Sequence, residues 1–289
     1  MKHNAIGTFG KSSLGLFAFW LIFFALIPFI LVFFASFLTK GEESFLLLQF
    51  SLESYRKIID PIYGTIFINS LWLSLLTSIF TLILALPFAY FLSQLKGYAK
   101  SLGLLLMIIP FWTSSLVRTY ALVAILKTEG ILNATLLFFG IIEEPLEILY
   151  TQSAVMIGIV YTLLPFMILP IYASFEKLDY RYIEAARDLG ANSFDLTVHI
   201  VLPLIGSGIM AGVILVFLPS MGMFFIPDLL GGAKELIVGS FIRNQFLTFR
   251  DWPFGSVASV LLTLLMLLLI YFYTKVGALG GKKDENAFF

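Results

Sequence analysis

The chain has 289 residues, 60% of them hydrophobic and 16% aromatic, with 18 basic and 18 acidic side chains. A soluble domain of that length cannot hide so much apolar surface, so the bilayer must act as solvent for most of it. Zero formal net charge gives no electrostatic case for nucleic acid, the lack of cysteine excludes disulfides and thiol chemistry, and the two isolated histidines, His3 and His199, argue against a histidine metal site.

In chain order, Lys2 and Lys11 precede an apolar run over 14–38. That run exceeds a signal-peptide core and no Ala-x-Ala pattern follows it, so it predicts a retained first transmembrane helix. Further apolar segments near 66–95, 102–126, 151–175, 203–225 and 254–276 each reach the roughly 20 residues a span needs. The expectation is an all-α polytopic protein of six transmembrane helices forming one domain over 1–289. Pro28, Pro87, Pro110, Pro165 and Pro170 fall inside spans and predict kinks within a bundle. Gly208 and Gly212 form a Gly-x-x-x-Gly pair in the fifth span, which reads as close helix packing.

Six spans put both termini on one side. Lys2, Lys11, Lys96, Lys100, Lys177, Arg181, Arg187, Lys275, Lys282 and Lys283 gather there, while the opposite side carries Lys and Arg too but more acids, Glu42, Glu43, Glu53, Glu129, Glu143, Glu144 and Glu147. The basic bias predicts cytoplasmic termini. The outer connections 39–65, 127–150 and 226–253 contain partly apolar pieces, suited to surface helices, caps over a binding site, or contacts for a soluble partner. The "GGAKEL" stretch (231–236) lacks the phosphate-loop pattern, and no catalytic constellation falls on one helix face. Uphill movement would need energy from a gradient or from another chain.

Between the fourth and fifth spans lies "YIEAARDLGANSFDLTVHIVLPL" (182–204). Asp179 suits an N-cap, and Tyr180–Leu189 suits about three helical turns. Arg181, Glu184 and Arg187 follow at i, i+3 and i+6. Ala185 and Ala186 leave a low surface that another backbone could approach. Gly190 suits the left-handed position that ends a helix, and Asn192 with Asp195 can cap a second one. A solvated loop helix is the plain alternative.

The spacing of Glu184-Ala185-Ala186, Gly190, Ile200, Leu202 and Pro203 resembles the EAA signature of ABC importer permeases. That resemblance implies the type I importer (MetI-like) fold, with 176–202 as a cytoplasmic coupling loop whose helix docks in an ATPase subunit. Stretches such as "IPFWTSSLVRTYALV" (109–123), "LLPFMILPIYASFEKLD" (163–179), "FIPDLLGGAKELIVGSFIRNQF" (225–246) and "RDWPFGSVAS" (250–259) are similar to permeases of spermidine/putrescine importers, over nearly the whole chain. Pro227 is a departure from the expected pattern. The implied assembly is a heterodimer with a second homologous permease, an ATPase dimer that holds ATP and Mg, and a periplasmic polyamine-binding protein, all at a bacterial inner membrane. This chain itself would bind no cofactor. Thiamine, iron and sulfate permeases share the signature, and a gradient-driven secondary transporter or a membrane scaffold are the rival classes.

A polyamine path needs carboxylates for attraction and aromatic faces for cation–π contact. Asp228 beside Phe224 is the first candidate, with Trp112, Tyr120 and Tyr161 as aromatic ones. For Asp228 the plain alternative is a turn cap, and for the aromatics it is packing. Arg118 lies well inside a span, where a cation would repel a polyamine, so it is read as a structural charge paired with Glu129 or Asp228 or snorkelling outward. An anionic substrate would exchange the roles of Arg118 and Asp228.

Overall fold

The computed structural model describes residues 8–41, 45–232 and 236–285. Lys2, His3, Glu42, Glu43 and residues 233–235 of the glycine–lysine stretch lie outside the described residues. Those that are described fall into two compact units. One is built from residues up to Gly64 with Phe241–Leu267, the other from Thr65–Ser240 and from Leu268 onward.

In the first unit, α1 runs over Thr8–Leu21, widens through the π turn Ile22–Leu26 and continues as Ile27–Ala35. The π turn sits just before Pro28, where a wider turn relieves the clash of the proline ring with the preceding carbonyls. Two short antiparallel strands follow, β1 (Leu38–Thr39) and β2 (Leu47–Phe50), and then α2 (Glu53–Lys57). Tyr63 packs its ring on Phe241 and Phe254, at centroid distances of 5.5 and 4.9 Å. Asp251 is buried where this unit's final helix begins. Its Oδ1 accepts from the Phe254 N–H at 3.2 Å, and Lys40 and Lys57 approach Oδ2 to 3.8 and 3.7 Å. One carboxylate therefore caps a helix and faces two lysines of the segment between the first and second spans.

The second unit holds most of the hydrophobic core. Helix α3 (Pro61–Gln94) enters it from residue 65 and buries a row of small hydroxyls, Ser70, Ser74, Thr77, Ser78 and Thr81. These occupy one helical face, and Ser78 and Thr81 bond back to carbonyls four residues earlier, which satisfies them without water. The third predicted span is broken. Helix α4 (Gly97–Ile108) tightens into the 3-10 turn Ile109–Trp112, Thr113 and Ser114 are extended, and α5 (Ser115–Leu126) restarts. Pro110 sets this up, since its carbonyl takes both the Thr113 N–H (3.3 Å) and the Thr113 hydroxyl (2.7 Å). A short α6 (Ile131–Phe138) follows, then α7 (Gln152–Glu176), which continues through Pro165 and Pro170.

Helix α8 (Arg181–Asp188) is followed by an elbow made of α9 (Ser193–Leu196), the π turn Thr197–Val201 and the short turn Leu202–Leu204. At Ile205 the chain bends by 68° into α10 (Gly206–Gly222). The fifth predicted span is thus an elbow plus a helix. Helix α10 lies along α7 through its glycine pair. A Cβ at Gly208 would meet the Pro170 carbonyl at 2.5 Å, and one at Gly212 the Met167 sulfur at 2.7 Å. A π turn at Pro227–Gly231 precedes α11 (Val238–Leu247), and α12 (Trp252–Glu285) closes the described chain. Among the described residues five stretches are long and apolar enough to cross a membrane, Ser115–Phe138 (α5 with α6) among them in place of the expected 102–126, and there are six if the bent pair counts as one span.

Candidate functional site: the helix–turn–elbow and its inner cavity

Helix α8 begins one residue later than Asp179 alone would suggest. Tyr180 is the first flanking residue and makes no side-chain cap. Asp179 instead folds back as a small turn. Its Oδ1 accepts the Arg181 N–H at 3.0 Å, and its carboxylate grips the Arg181 guanidinium through Nε and Nη2. That grip holds the Asp179 carboxyl below its ordinary range. Both groups are open to water, so the pair orders the helix start more than it stabilises the fold.

The end of α8 follows the sequence expectation closely. Gly190 has φ +85° and donates to the Arg187 carbonyl at 2.9 Å, and Ala191 donates to the Ala186 carbonyl at 3.0 Å. These paired bonds close a Schellman turn and satisfy two of the last carbonyls. A Cβ at Gly190 would meet nothing within 4 Å, so the backbone angle alone demands glycine there. Asn192 then caps the elbow. Its Oδ1 accepts the Asp195 N–H at 2.9 Å, and its Nδ2 donates to Asp195 Oδ2 at 2.7 Å.

The two faces of α8 differ. Tyr180, Ile183, Glu184 and Arg187, spaced i, i+3, i+4 and i+7, line a cavity of about 510 Å³. Its other walls are the end of α3 (Leu86, Pro87, Tyr90, Gln94), the end of α7 with Leu178, and the elbow from Leu196 to Ile205. Ala186 is also buried, so the low surface expected of the alanine pair is divided between faces: Ala185 is exposed and Ala186 is not. The open face carries Arg181, Tyr182, Ala185 and Asp188, and the apolar side chains of Leu189 and Phe194 project nearby. Of the remaining signature residues, Ile200 is half-buried in the π turn, Leu202 lines the cavity and Pro203 opens the last turn of the elbow. Lys100 and Glu176, 2.6 Å apart, join the start of α4 to the end of α7 on the same side of the unit.

The candidate substrate residues are dispersed. Asp228 is half-buried in the π turn after α10, and its N–H donates to the Phe224 carbonyl at 3.1 Å. Pro227 is buried as the first residue of that turn. Trp112 sits at the helix break, Tyr120 on α5, Tyr161 on α7 and Phe224 after α10. All four rings are exposed, and no ring contact joins them to one another. Arg118 was expected to pair with Glu129 or Asp228 or to snorkel outward, and the contact seen for it is with an aromatic face. Its guanidinium lies over the Phe111 ring at 5.3 Å, and Phe111 packs edge-on against Phe166 at 5.1 Å. The break between Trp112 and Ser115 brings Phe111 within reach of Arg118, which an unbroken helix would have left almost two turns away.

Sequence reading also missed Asn133. It is buried, donates to the carbonyls of Lys127, Thr128 and Leu146, and accepts the Leu146 N–H at 2.9 Å. One amide thereby pins both ends of the connection between α5 and α7. Among the described residues, no three His, Asp or Glu side chains gather where they could hold a metal ion.

Comparison with known proteins gives this geometry its context. Residues 74–277 match the family described as the binding-protein-dependent transport system inner membrane component. The chain is 46% identical over 266 residues to the spermidine/putrescine transport system permease protein PotB of Escherichia coli (strain K12), covering 92% of this chain and 97% of that one. It is 47% identical over 277 residues to the protein of the same description from Haemophilus influenzae, covering 96% and 97%. Among solved structures, a bacterial ABC transporter involved in the import of the acidic polysaccharide alginate superposes with TM-score 0.70 over 92% of this chain and 93% of that one. At 14% identity that likeness speaks to fold alone.

Proposed function

This chain belongs to the family of binding-protein-dependent transport system inner membrane components, and from that membership we propose that it is the polyamine-translocating permease subunit of an ATP-driven importer. The observation that carries the substrate class is the 46–47% identity, over 92–96% of the chain, to permeases named for spermidine and putrescine. The alginate importer, at 14% identity, lends no weight to a sugar.

The chain would sit in a bacterial inner membrane with both termini cytoplasmic, paired with a second permease, two ATPase subunits holding ATP and Mg, and a periplasmic polyamine-binding protein. Helix α8 would be the contact with the motor. Its open face, Arg181, Tyr182, Ala185 and Asp188 with Leu189 nearby, is suited to dock in a cleft of the ATPase. Ala186 is buried, Leu202 half-buried and Glu184 borders the cavity, and these would pass the motion to α3 and α7, with Gly190 and the Ile200–Pro203 segment setting the angle between helix and elbow. Asp228 would attract an ammonium group, with Phe224, Trp112, Tyr120 and Tyr161 offering aromatic faces, and Arg118 would remain a structural charge seated on Phe111. Alternating access then follows, as closure of the motor draws the coupling helices together and opens the outer face.

The deciding experiment is uptake of labelled spermidine and putrescine by the reconstituted complex, with thiamine, iron and sulfate as competitors. ATP-dependent polyamine uptake untouched by the three competitors is the expected result. Uptake of one of the competitors with none of polyamine would overturn the substrate class.

A further inference from the structure

Tyr150 is held in a conformation that suits glycine. Its φ is +66°, in the left-handed region where a Cβ crowds the backbone. It stands immediately before Thr151, which caps α7: the Thr151 hydroxyl donates to the Ile148 carbonyl at 2.6 Å and accepts the Ala154 N–H at 3.3 Å. Such a strained residue persists only where its surroundings over-determine it, and that happens most at functional sites.

The contacts that hold Tyr150 lie on the π turn Pro227–Gly231. Its N–H donates to the Leu230 carbonyl at 2.8 Å. Its ring covers the residue after the turn: a Cβ at Gly232, itself at φ +62°, would meet Tyr150 Cδ1 at 3.1 Å. The same turn is seated against α7, where a Cβ at Gly158 would run into the buried side chains of Leu230 and Ile226. Asp228 supplies the turn's one polar side chain. A π turn holds one residue more than an α turn, so relaxing it to α would slip the register by one residue, about 100° of rotation on a helix. The Tyr150 N–H satisfies the Leu230 carbonyl from outside the turn and so holds it against that slip. Resting on the reading of Asp228 as the carboxylate that attracts an ammonium group, we propose that Tyr150 is its positioning residue. Fixed to the start of α7, it keeps the π turn in register and thereby sets where Asp228 is presented to the substrate.

The test takes the whole complex in proteoliposomes. Tyr150→Phe keeps ring and backbone, Tyr150→Gly keeps the φ but loses the ring, and Tyr150→Val loses the ring and disfavours the φ. Spermidine KM should stay near the parent value in the phenylalanine variant, rise in the glycine variant and rise furthest in the valine variant. The limit is the roughly 5- to 30-fold expected of Asp228→Asn, with kcat and stimulated ATP hydrolysis unchanged. Tyr150→Val added to Asp228→Asn should raise KM no further. A fall in kcat at constant KM, or effects that multiply in the double variant, overturns the positioning role. A second readout does not depend on transport: the rate at which a water-soluble thiol reagent modifies Asp228→Cys, followed by the mass of this subunit. Tyr150→Val should change that rate about two- to tenfold relative to Tyr150→Phe, the effect of one hydrogen bond. An unchanged rate overturns the hold of Tyr150 on the turn, whatever uptake shows. A changed rate together with a KM unmoved by Asp228→Asn itself overturns the role of Asp228 instead.

Discussion

The Gln94 side-chain amide donates a 2.7 Å hydrogen bond to the Tyr180 hydroxyl, tying the last residue of α3 to the residue that starts α8. If this bond transmits motion, Gln94→Ala and Tyr180→Phe should each lower coupled transport about two- to tenfold, and the double variant should lose no more than either single one. Transport per ATP hydrolysed in the reconstituted complex measures it. Effects that simply multiply would show that the two side chains act apart.

Gly190 gives a graded series. Its φ of +85° costs a residue with a Cβ roughly 1–2 kcal/mol, and the space around it is open, so backbone strain alone should set the order. Asparagine, which tolerates the left-handed region, should retain most transport, alanine less and valine least. Stimulated ATP hydrolysis should fall in parallel while membrane insertion stays normal. Normal activity in Gly190→Val would remove α8 from the coupling path.

Topology can be read without background because the chain has no cysteine. A membrane-impermeant thiol reagent applied to cells with an intact inner membrane should label a cysteine placed at exposed position 143 and spare one at 184. The reverse pattern would place the termini outside.

Asp228→Asn keeps size and turn-forming ability but removes charge. A role in attracting an ammonium group predicts loss of low-concentration polyamine uptake by about 5- to 30-fold, equivalent to roughly 1–2 kcal/mol, with Asp228→Lys worse. Uptake within twofold of the parent for both variants, at equal membrane abundance, would return Asp228 to a turn residue.

Asp251 supports stability. Asp251→Asn keeps a helix cap but removes the charge that faces Lys40 and Lys57, and Asp251→Ala loses the cap as well. The alanine variant should be the less stable, by about 1–3 kcal/mol relative to the parent, with asparagine between them. Thermal unfolding of the purified complex checks the order, and equal stability of all three would show that the cap and the pairs contribute nothing.

The spans were legible because apolar length is a property of sequence alone, and the end of α8 was legible because Gly190 and Asn192 act on their own backbone. Where the expectations fell short, the missing information was tertiary. The apolar run 102–126 hides the break at Thr113–Ser114, although Pro110 marked its neighbourhood. The spacing put Arg181, Glu184 and Arg187 on one side of α8, but the packing of α3, α7 and the elbow divides them, with Glu184 and Arg187 bordering the cavity and Arg181 on the open face. Arg118 was expected to pair with a carboxylate or to snorkel, and its seat over Phe111 depends on the break, which the sequence did not show. Asn133 left no local signal, since its partners at Thr128 and Leu146 flank it from two directions.

The bend at Ile205 makes the elbow and α10 a bell crank. With 68° between its arms, a displacement along the elbow resolves into roughly one third along α10 and nine tenths across it. A thrust delivered from below is therefore turned mostly into sideways travel. The arm that receives it is locked to α7 at Gly208 and Gly212, where glycine leaves no side chain to act as a cushion. Lateral throw at the base would be handed to α7 as rigid translation, with little taken up as compression between the two helices.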